Sequence, residues 1–274
     1  MVIEDDLAAE DTAANWDLER ARHWHLFSPP ARPSPGELTI YAQAIAESQG
    51  DMILLGSTPE LRLMAHQQGL QVTGYDRSSE VFEHLRPADV PSEQEDFVHG
   101  NWMDLAYRGR GDLLLADGSL NMVPAEMHPG LLDRIADMLR PGARALIRVH
   151  LAAAPRYADA VGVFEGRRRG ELAGGMFSAT RTQLDMLFID PVSDSVRFTE
   201  VATALAALHS QNLLSEDEHA AYAALAPFNR IELHYTRPER FEAQAAHRFS
   251  VRQLGGGGDY ADHEQHPIYE LTPR

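Results

Sequence analysis

The sequence has no cysteine among its 274 residues, which excludes disulfides, thiolate nucleophiles and cysteine-ligated zinc. Lysine is missing as well, so all 24 basic residues are arginine. That removes the Walker-type phosphate loop, Schiff-base chemistry and the Tyr-x-x-x-Lys pair of short-chain dehydrogenases. No apolar run approaches bilayer length, and the opening Met1-Val2-Ile3-Glu4-Asp5-Asp6 is acidic where a secretory signal would be basic and then apolar. The expectation is a cytoplasmic protein with no membrane segment. Positive charge is scarce, at a net −17, and a surface of that sign repels a phosphate backbone. Nucleic acid is therefore a poor candidate partner. The hydrophobic fraction of 44% and charged fraction of 24% are those of a globular chain long enough to bury a substantial core.

Residues 1–35 read as an acidic tail, an amphipathic stretch from Asn15 to Phe27 and a proline-rich run, and are expected to lie over a ligand site. Ser34, Pro35 and Glu37 form a capping signature for a helix through Tyr41 and Ile45. Residues 36–274 then read as a single domain. Short apolar runs alternate with helices: strands at Met52–Leu55, Gln71–Tyr75, Asp96–His99, Asp112–Ala116 and Ala145–His150. This alternation is the signature of a parallel sheet covered by helices on both faces. Residues 155–229 read as a mainly helical insertion expected to act as a substrate lid, with a possible break from Gly162 to Gly175 and a capped helix start at Ser215. A last helix at Pro238–Ala246 precedes two strands, Phe249–Leu254 and Ile268–Thr272, joined through Gly255–Gly258 as a hairpin. Nothing is left over for a second core.

The first strand runs into Gly56-Ser57-Thr58-Pro59-Glu60, a turn into a helix whose free N–H groups face the carboxyl edge of the sheet. Asp76 ends the second strand, where a carboxylate can accept both hydroxyls of a ribose. A dinucleotide needs further glycines for close backbone approach to its pyrophosphate, but Thr58, Pro59 and Leu61 occupy those places. A nucleoside without phosphates fits this turn better.

With these residues in view, Arg32 to His150 and the terminal hairpin resemble a class I S-adenosylmethionine-dependent methyltransferase of the variety whose first motif reads Leu-Gly-x-Thr-Pro-Glu, here Leu55 to Glu60. The resemblance implies a Rossmann-like seven-stranded sheet of order 3-2-1-4-5-7-6 with strand seven antiparallel, and S-adenosylmethionine as cofactor. It also implies that Gly56 and Ser57 lie against the methionine part, with Thr58 and Glu60 in the same motif. Asp76 holds the ribose, flanked by Arg77, and Asn101 and Trp102 meet the adenine. Asp117, Gly118 and Ser119 sit beside the sulfonium and the entering acceptor. The chain departs from the family at Leu54, where an acidic residue usually anchors the region around the methionine amine; Glu60 or Asp117 could take its place.

The candidate catalytic groups are His150, at the end of strand five and able to act as a base, and Asp117. Tyr41, Met176 and Phe177 are candidates for the acceptor pocket, the last two beside a Gly174-Gly175 hinge. Among 13 histidines no His-Glu-x-x-His occurs. His263 and His266, near Asp259, Asp262 and Glu264, read as a solvated hairpin loop, and no metal is expected. Homodimerisation stays open, as does a binding or scaffold role without turnover; a nicotinamide-dependent oxidoreductase is the weaker alternative.

Overall fold

The computed structural model describes residues 18, 21–104, 111–172, 179–223 and 232–274. Its main sheet contains β1 (Met52–Leu55), β2 (Val72–Asp76), β3 (Glu95–His99), β4 (Gly111–Asp117), β5 (Leu139–Arg148), β8 (Phe249–Gly255) and β9 (Ile268–Pro273). The strand order is β3-β2-β1-β4-β5-β9-β8. With β8 and β9 counted as the sixth and seventh strands of this sheet, that is the Rossmann-like order the resemblance implies. The first five strands are parallel, while β9 runs antiparallel to β5, with Ile147 opposite Tyr269.

The apolar runs form a central sheet because both faces are covered. Ile53, Leu55, Leu114 and Ile147 pack on one side with Leu131, Leu132 and Ile135 of the helix His128–Met138 and with Phe241. Met52, Leu54, Leu113 and Leu115 pack on the other with Ile45 of α1 (Pro35–Glu47) and Leu61 of α2 (Pro59–Gln67). Each such side chain, fully buried, contributes roughly 1.5–3 kcal/mol. Helix α1 begins at a complete capping box: Glu37 N donates to Ser34 Oγ, and Ser34 N donates to the Glu37 carboxylate.

The insertion differs from the sequence reading. It carries a third hydrophobic cluster of its own, including Val163, Phe164, Leu184, Val196, Phe198 and Val201, so its apolar spacing does build a further core. Gly162 lies within the helix Ala160–Arg168 and donates its N–H to the capping Asp159, so it does not break the helix. Helices Ala179–Phe188, Phe198–Ser210 and Glu216–Ala223 follow, the last opened as expected by Ser215, whose Oγ accepts from Glu218 N. A short antiparallel pair, β6 (Ser195–Arg197) and β7 (Glu232–His234), was not expected; three residues carry too little alternation to be read.

Two further boundaries move. Strand five does not start at Ala145: β5 begins at Leu139 and takes in Pro141-Gly142 in an irregular register between Gly111 and Leu113 of β4. The glycine-rich segment is also no tight hairpin turn. It leads into residues 256–267, which fold back over the start of α1, where Gly36 N donates to Asp259 Oδ2. No helix among the described residues is long and apolar enough to cross a membrane.

Candidate active site

Strands β1, β2, β4 and β5 point their carboxyl ends to one edge of the sheet, and a cavity of about 370 Å³ opens there. Its size is that of a small-molecule or cofactor site. Gly56, Ser57, Thr58, Asp76, Arg77, Asn101, Trp102, Asp117, Gly118, Ser119 and His150 all line it. The strand ends thus bring together most of the residues singled out in the sequence.

The first turn needs Gly56 because its φ is +102°, a region closed to most side chains. Ser57 donates its hydroxyl to Asp76 Oδ2 at 3.0 Å, and Arg77 N donates to Asp76 Oδ1 at 2.7 Å, so the carboxylate spans the ends of β1 and β2. Burial pushes the Asp76 carboxyl above its usual range, while Ser57 and the Arg77 N–H pull it back. Trp102 is fixed beside β2 by its indole N–H, which donates to Tyr75 O at 2.7 Å. Asn101 Oδ1 accepts from Met103 N, leaving the amide N–H groups as the donors this residue can offer a base edge.

The second turn, after β4, is locked from several sides. Gly118 has φ +70°, and a Cβ there would come within 3.2 Å of His150 Nε2, so the glycine lets the imidazole lie against the turn. Ser119 Oγ donates to Leu55 O at 2.7 Å. Asn121 donates to the backbone oxygens of His150 and His234 and accepts from His150 N, tying β5 to β7. Asp117 accepts from Arg148 Nε, and Arg148 also donates to Glu37 Oε2 at 2.8 Å. This guanidinium is 1% exposed. Burial opposes its charge, but the carboxylates of Asp117 and Glu37 overrule that and raise its pKa above the usual arginine value.

Three sequence expectations fall elsewhere. Tyr41 does not line the cavity: it is fully buried in the cluster between α1 and the sheet, and desolvation pushes its phenol well above the ordinary pKa. A helix position two turns in from the cap Ser34 faces the sheet, not its edge. Glu60 is also away from the lining, its Oε1 accepting from Trp24 Nε1 and from Arg32. His266 is not solvated: it is 1% exposed, packs edge-on to His150 with ring centroids 4.8 Å apart, and burial lowers its pKa to about 3. Met176 and Phe177 lie outside the described residues.

The sequence reading placed residues 1–35 and the insertion over the site but did not name the side chains that line its other side. Arg181, Thr182 and Asp185 on the helix Ala179–Phe188, with Phe198 and Tyr235, line it opposite the strand ends, and Trp24, Phe27 and Ala31 close it. Asp185 is 2% exposed; its Oδ2 accepts from Tyr235 Oη at 2.8 Å, and its Oδ1 has no hydrogen-bond partner among the described residues. Burial raises its pKa to about 6, with Arg181 and Tyr235 acting the other way. Arg181 stacks its guanidinium over Phe198 at 3.7 Å. The sequence held little signal for it: Thr180, Arg181, Thr182 and Gln183 stand beside Asp185 on this helix, and only the fold buries that polar face.

No family model matches this sequence, and no curated protein matches it. Solved structures do. One from Rhodobacter sphaeroides, provisionally named a Zn-dependent alcohol dehydrogenase, superposes with TM-score 0.62 at 18% identity over 96% of this chain and 98% of that one. The CcbJ methyltransferase from Streptomyces caelestis is similar at TM-score 0.61 and 13% identity, over 95% of this chain and 98% of that one. The glycopeptide N-methyltransferase MtfA, in its complex with S-adenosyl-L-methionine, gives TM-score 0.54 at 13% identity over 89% and 95%. At such identities the likeness establishes a shared fold, and the fold of this chain is the seven-stranded, Rossmann-like methyltransferase fold.

Proposed function

We propose that the protein transfers a methyl group from S-adenosylmethionine to an O, N or C nucleophile of a small-molecule acceptor. The observation that carries this reading is the single cavity wall formed by Gly56-Ser57, Asp76, Asn101-Trp102 and Gly118-Ser119 at the carboxyl edge of the sheet. These residues fit the cofactor: a glycine turn with φ +102° for close approach, a carboxylate for the ribose and an indole for the adenine. The likeness to CcbJ and to MtfA, the latter crystallised with S-adenosyl-L-methionine, supports the same choice. We read residues 1–35 as the cover of the cofactor side and the insertion of residues 155–229 as the acceptor lid; Trp24, Phe27, Arg181 and Asp185 in the cavity lining support this reading.

When bound, the cofactor supplies an electrophilic methyl on a sulfonium, which leaves as a neutral thioether. The protein's task is to hold the nucleophile in line and keep water out. Phe198, Tyr235 and Leu233 provide apolar walls on the acceptor side. A protic acceptor must also lose its proton. Asp185, with a pKa of about 6 and an unsatisfied Oδ1, is suited to receive it near neutral pH, with His150 at the seam between the two halves as the second candidate.

The name of the Rhodobacter structure favours a zinc-dependent oxidoreductase as the second reading. Among the described residues no three His, Asp or Glu side chains group as a metal site, and the chain has no cysteine. Calorimetry with S-adenosylmethionine, S-adenosylhomocysteine and NAD separates the readings. The proposal expects the first two to bind and S-adenosylhomocysteine to raise the melting temperature by mass action. Binding of NAD alone overturns it.

A further inference from the structure

A cluster of charge lies beneath the cavity that the methyl-transfer reading does not by itself require. Arg148 is shared by two carboxylates, those of Asp117 and Glu37, and all three side chains are at most 3% exposed. The groups packed around them add no further positive charge. Tyr260 donates its hydroxyl to Glu37 Oε1 at 2.7 Å, Tyr41 is a buried phenol with a raised pKa, and His266 is held neutral by burial. Arg32 contributes only its backbone oxygen to Arg148, its guanidinium being on Glu60. Two carboxylates and one guanidinium leave one negative charge in excess, and a buried charge is costly unless it is paired.

The excess falls on one atom. Both Glu37 oxygens are satisfied, Oε1 by Tyr260 and Oε2 by Arg148 and Ser34 N. Asp117 Oδ1 takes Arg148 Nε, whereas its Oδ2 has only a long 3.4 Å contact from Thr58 Oγ1 among the hydrogen bonds of the described residues. Asp117 lines the cavity, between the first turn at Thr58 and the second at Gly118. Leu54 meanwhile is wholly buried in the cluster facing α1 and α2 and has no acceptor to offer. Glu60 is engaged by Trp24 and Arg32.

We infer that Asp117 is the anchor for the cofactor's methionine ammonium, replacing the acidic residue that β1 lacks. The ammonium supplies the positive charge that the Glu37–Arg148–Asp117 cluster is short of, and Thr58 bridges that carboxylate to the first turn. Arg148 acts as a positioning residue that holds the Asp117 carboxylate at the cavity wall. The inference rests on the cofactor reading above.

Calorimetry on the full chain with two probes tests it: S-adenosylhomocysteine, and its deaminated counterpart S-adenosyl-4-mercaptobutyrate. Wild type should bind the amine-bearing probe about tenfold or more tightly, the scale of a charge-assisted hydrogen bond. Asp117→Asn should bring the two affinities within about threefold of each other, mainly by weakening the first. A crystal structure of the wild-type complex is the second measurement, independent of how well the variant folds. The amine nitrogen within hydrogen-bond distance of Asp117 supports the inference, and an amine held only by backbone oxygens or by Glu60 overturns it. Retained discrimination in Asp117→Asn overturns it as well. If S-adenosylhomocysteine does not bind wild type at all, the cofactor reading fails and takes the inference with it.

Discussion

The two sides of the cavity are built by different rules. On the cofactor side each group hangs from a strand end: Asp76 from β2, Asp117 from β4, the Gly56 turn from β1. Backbone geometry fixes these positions, and side-chain bonds such as Ser57 to Asp76 and Ser119 to Leu55 O add the fine adjustment. On the side proposed for the acceptor, Arg181, Asp185, Phe198 and Tyr235 come from two helices and the segment just after β7, which share a separate hydrophobic cluster. A fold shared by chains of low identity can keep the first side constant and rebuild the second, because substrate choice is a property of the site and not of the sheet.

That comparison breaks most sharply at Asp185. If the acceptor side carries the proton transfer, Asp185→Asn lowers turnover by roughly 10²–10³, the usual scale for loss of a general base, and leaves S-adenosylhomocysteine affinity within about twofold. Initial rates with a protic acceptor found by screening for S-adenosylhomocysteine release check it. A variant that keeps full turnover moves the base to His150 or removes the need for one. On the cofactor side, Asp76→Ala should weaken S-adenosylhomocysteine binding by about 1.5–3 kcal/mol, the range for hydrogen bonds to a charged group. Calorimetry showing a change under twofold would place the ribose elsewhere.

A smaller effect concerns stability and pH. The folded-state pKa of Asp185, about 6, lies above that of the unfolded chain, about 3.9. The native state therefore binds the extra proton between these values, and the stability this group allows is fully present below pH 4 and lost as pH rises through 6. Asp185→Asn should then be more stable than wild type at pH 8, by roughly 2–3 kcal/mol, and match it at pH 4. A variant that melts lower at both values would assign Asp185 to holding Tyr235 in place. The smallest effect is expected from Tyr41→Phe. With the phenol buried away from the cavity, stability should stay within about 1 kcal/mol and ligand affinities should not move. A changed acceptor Michaelis constant would restore Tyr41 to the acceptor site.

What could be read from the sequence follows the same division. The strand-Gly56 turn, Asp76 and Asp117-Gly118-Ser119 are local signals, a few residues whose meaning is set by the element just before them. Asp185 and Tyr235 have no such neighbours; only the packing of the segment after β7 against the insertion brings them within 2.8 Å. Arg62 shows the same limit within the sheet domain. It is fully buried and donates to both oxygens of Glu95 and to Phe82 O, a three-way link between α2, the helix Ser79–His84 and β3 that spacing along the chain does not announce. His266 was misjudged because a histidine among aspartates and glycines reads as wet, while the segment that carries it is folded back against His150.

The buried ring around Arg148 also sets an order in time. Glu37 meets Arg148 across 111 positions of sequence and Tyr260 across 223. During synthesis the N-terminal helix is therefore finished long before the groups that neutralise and seal its carboxylate have left the ribosome, and contacts of such separation are slow to form. Arg148 and His150, which line the cavity, are not backed by Tyr260 and His266 until residues 256–267 dock on α1. Ligand binding should thus be among the last properties a nascent or refolding chain acquires, well after most of the parallel sheet has formed.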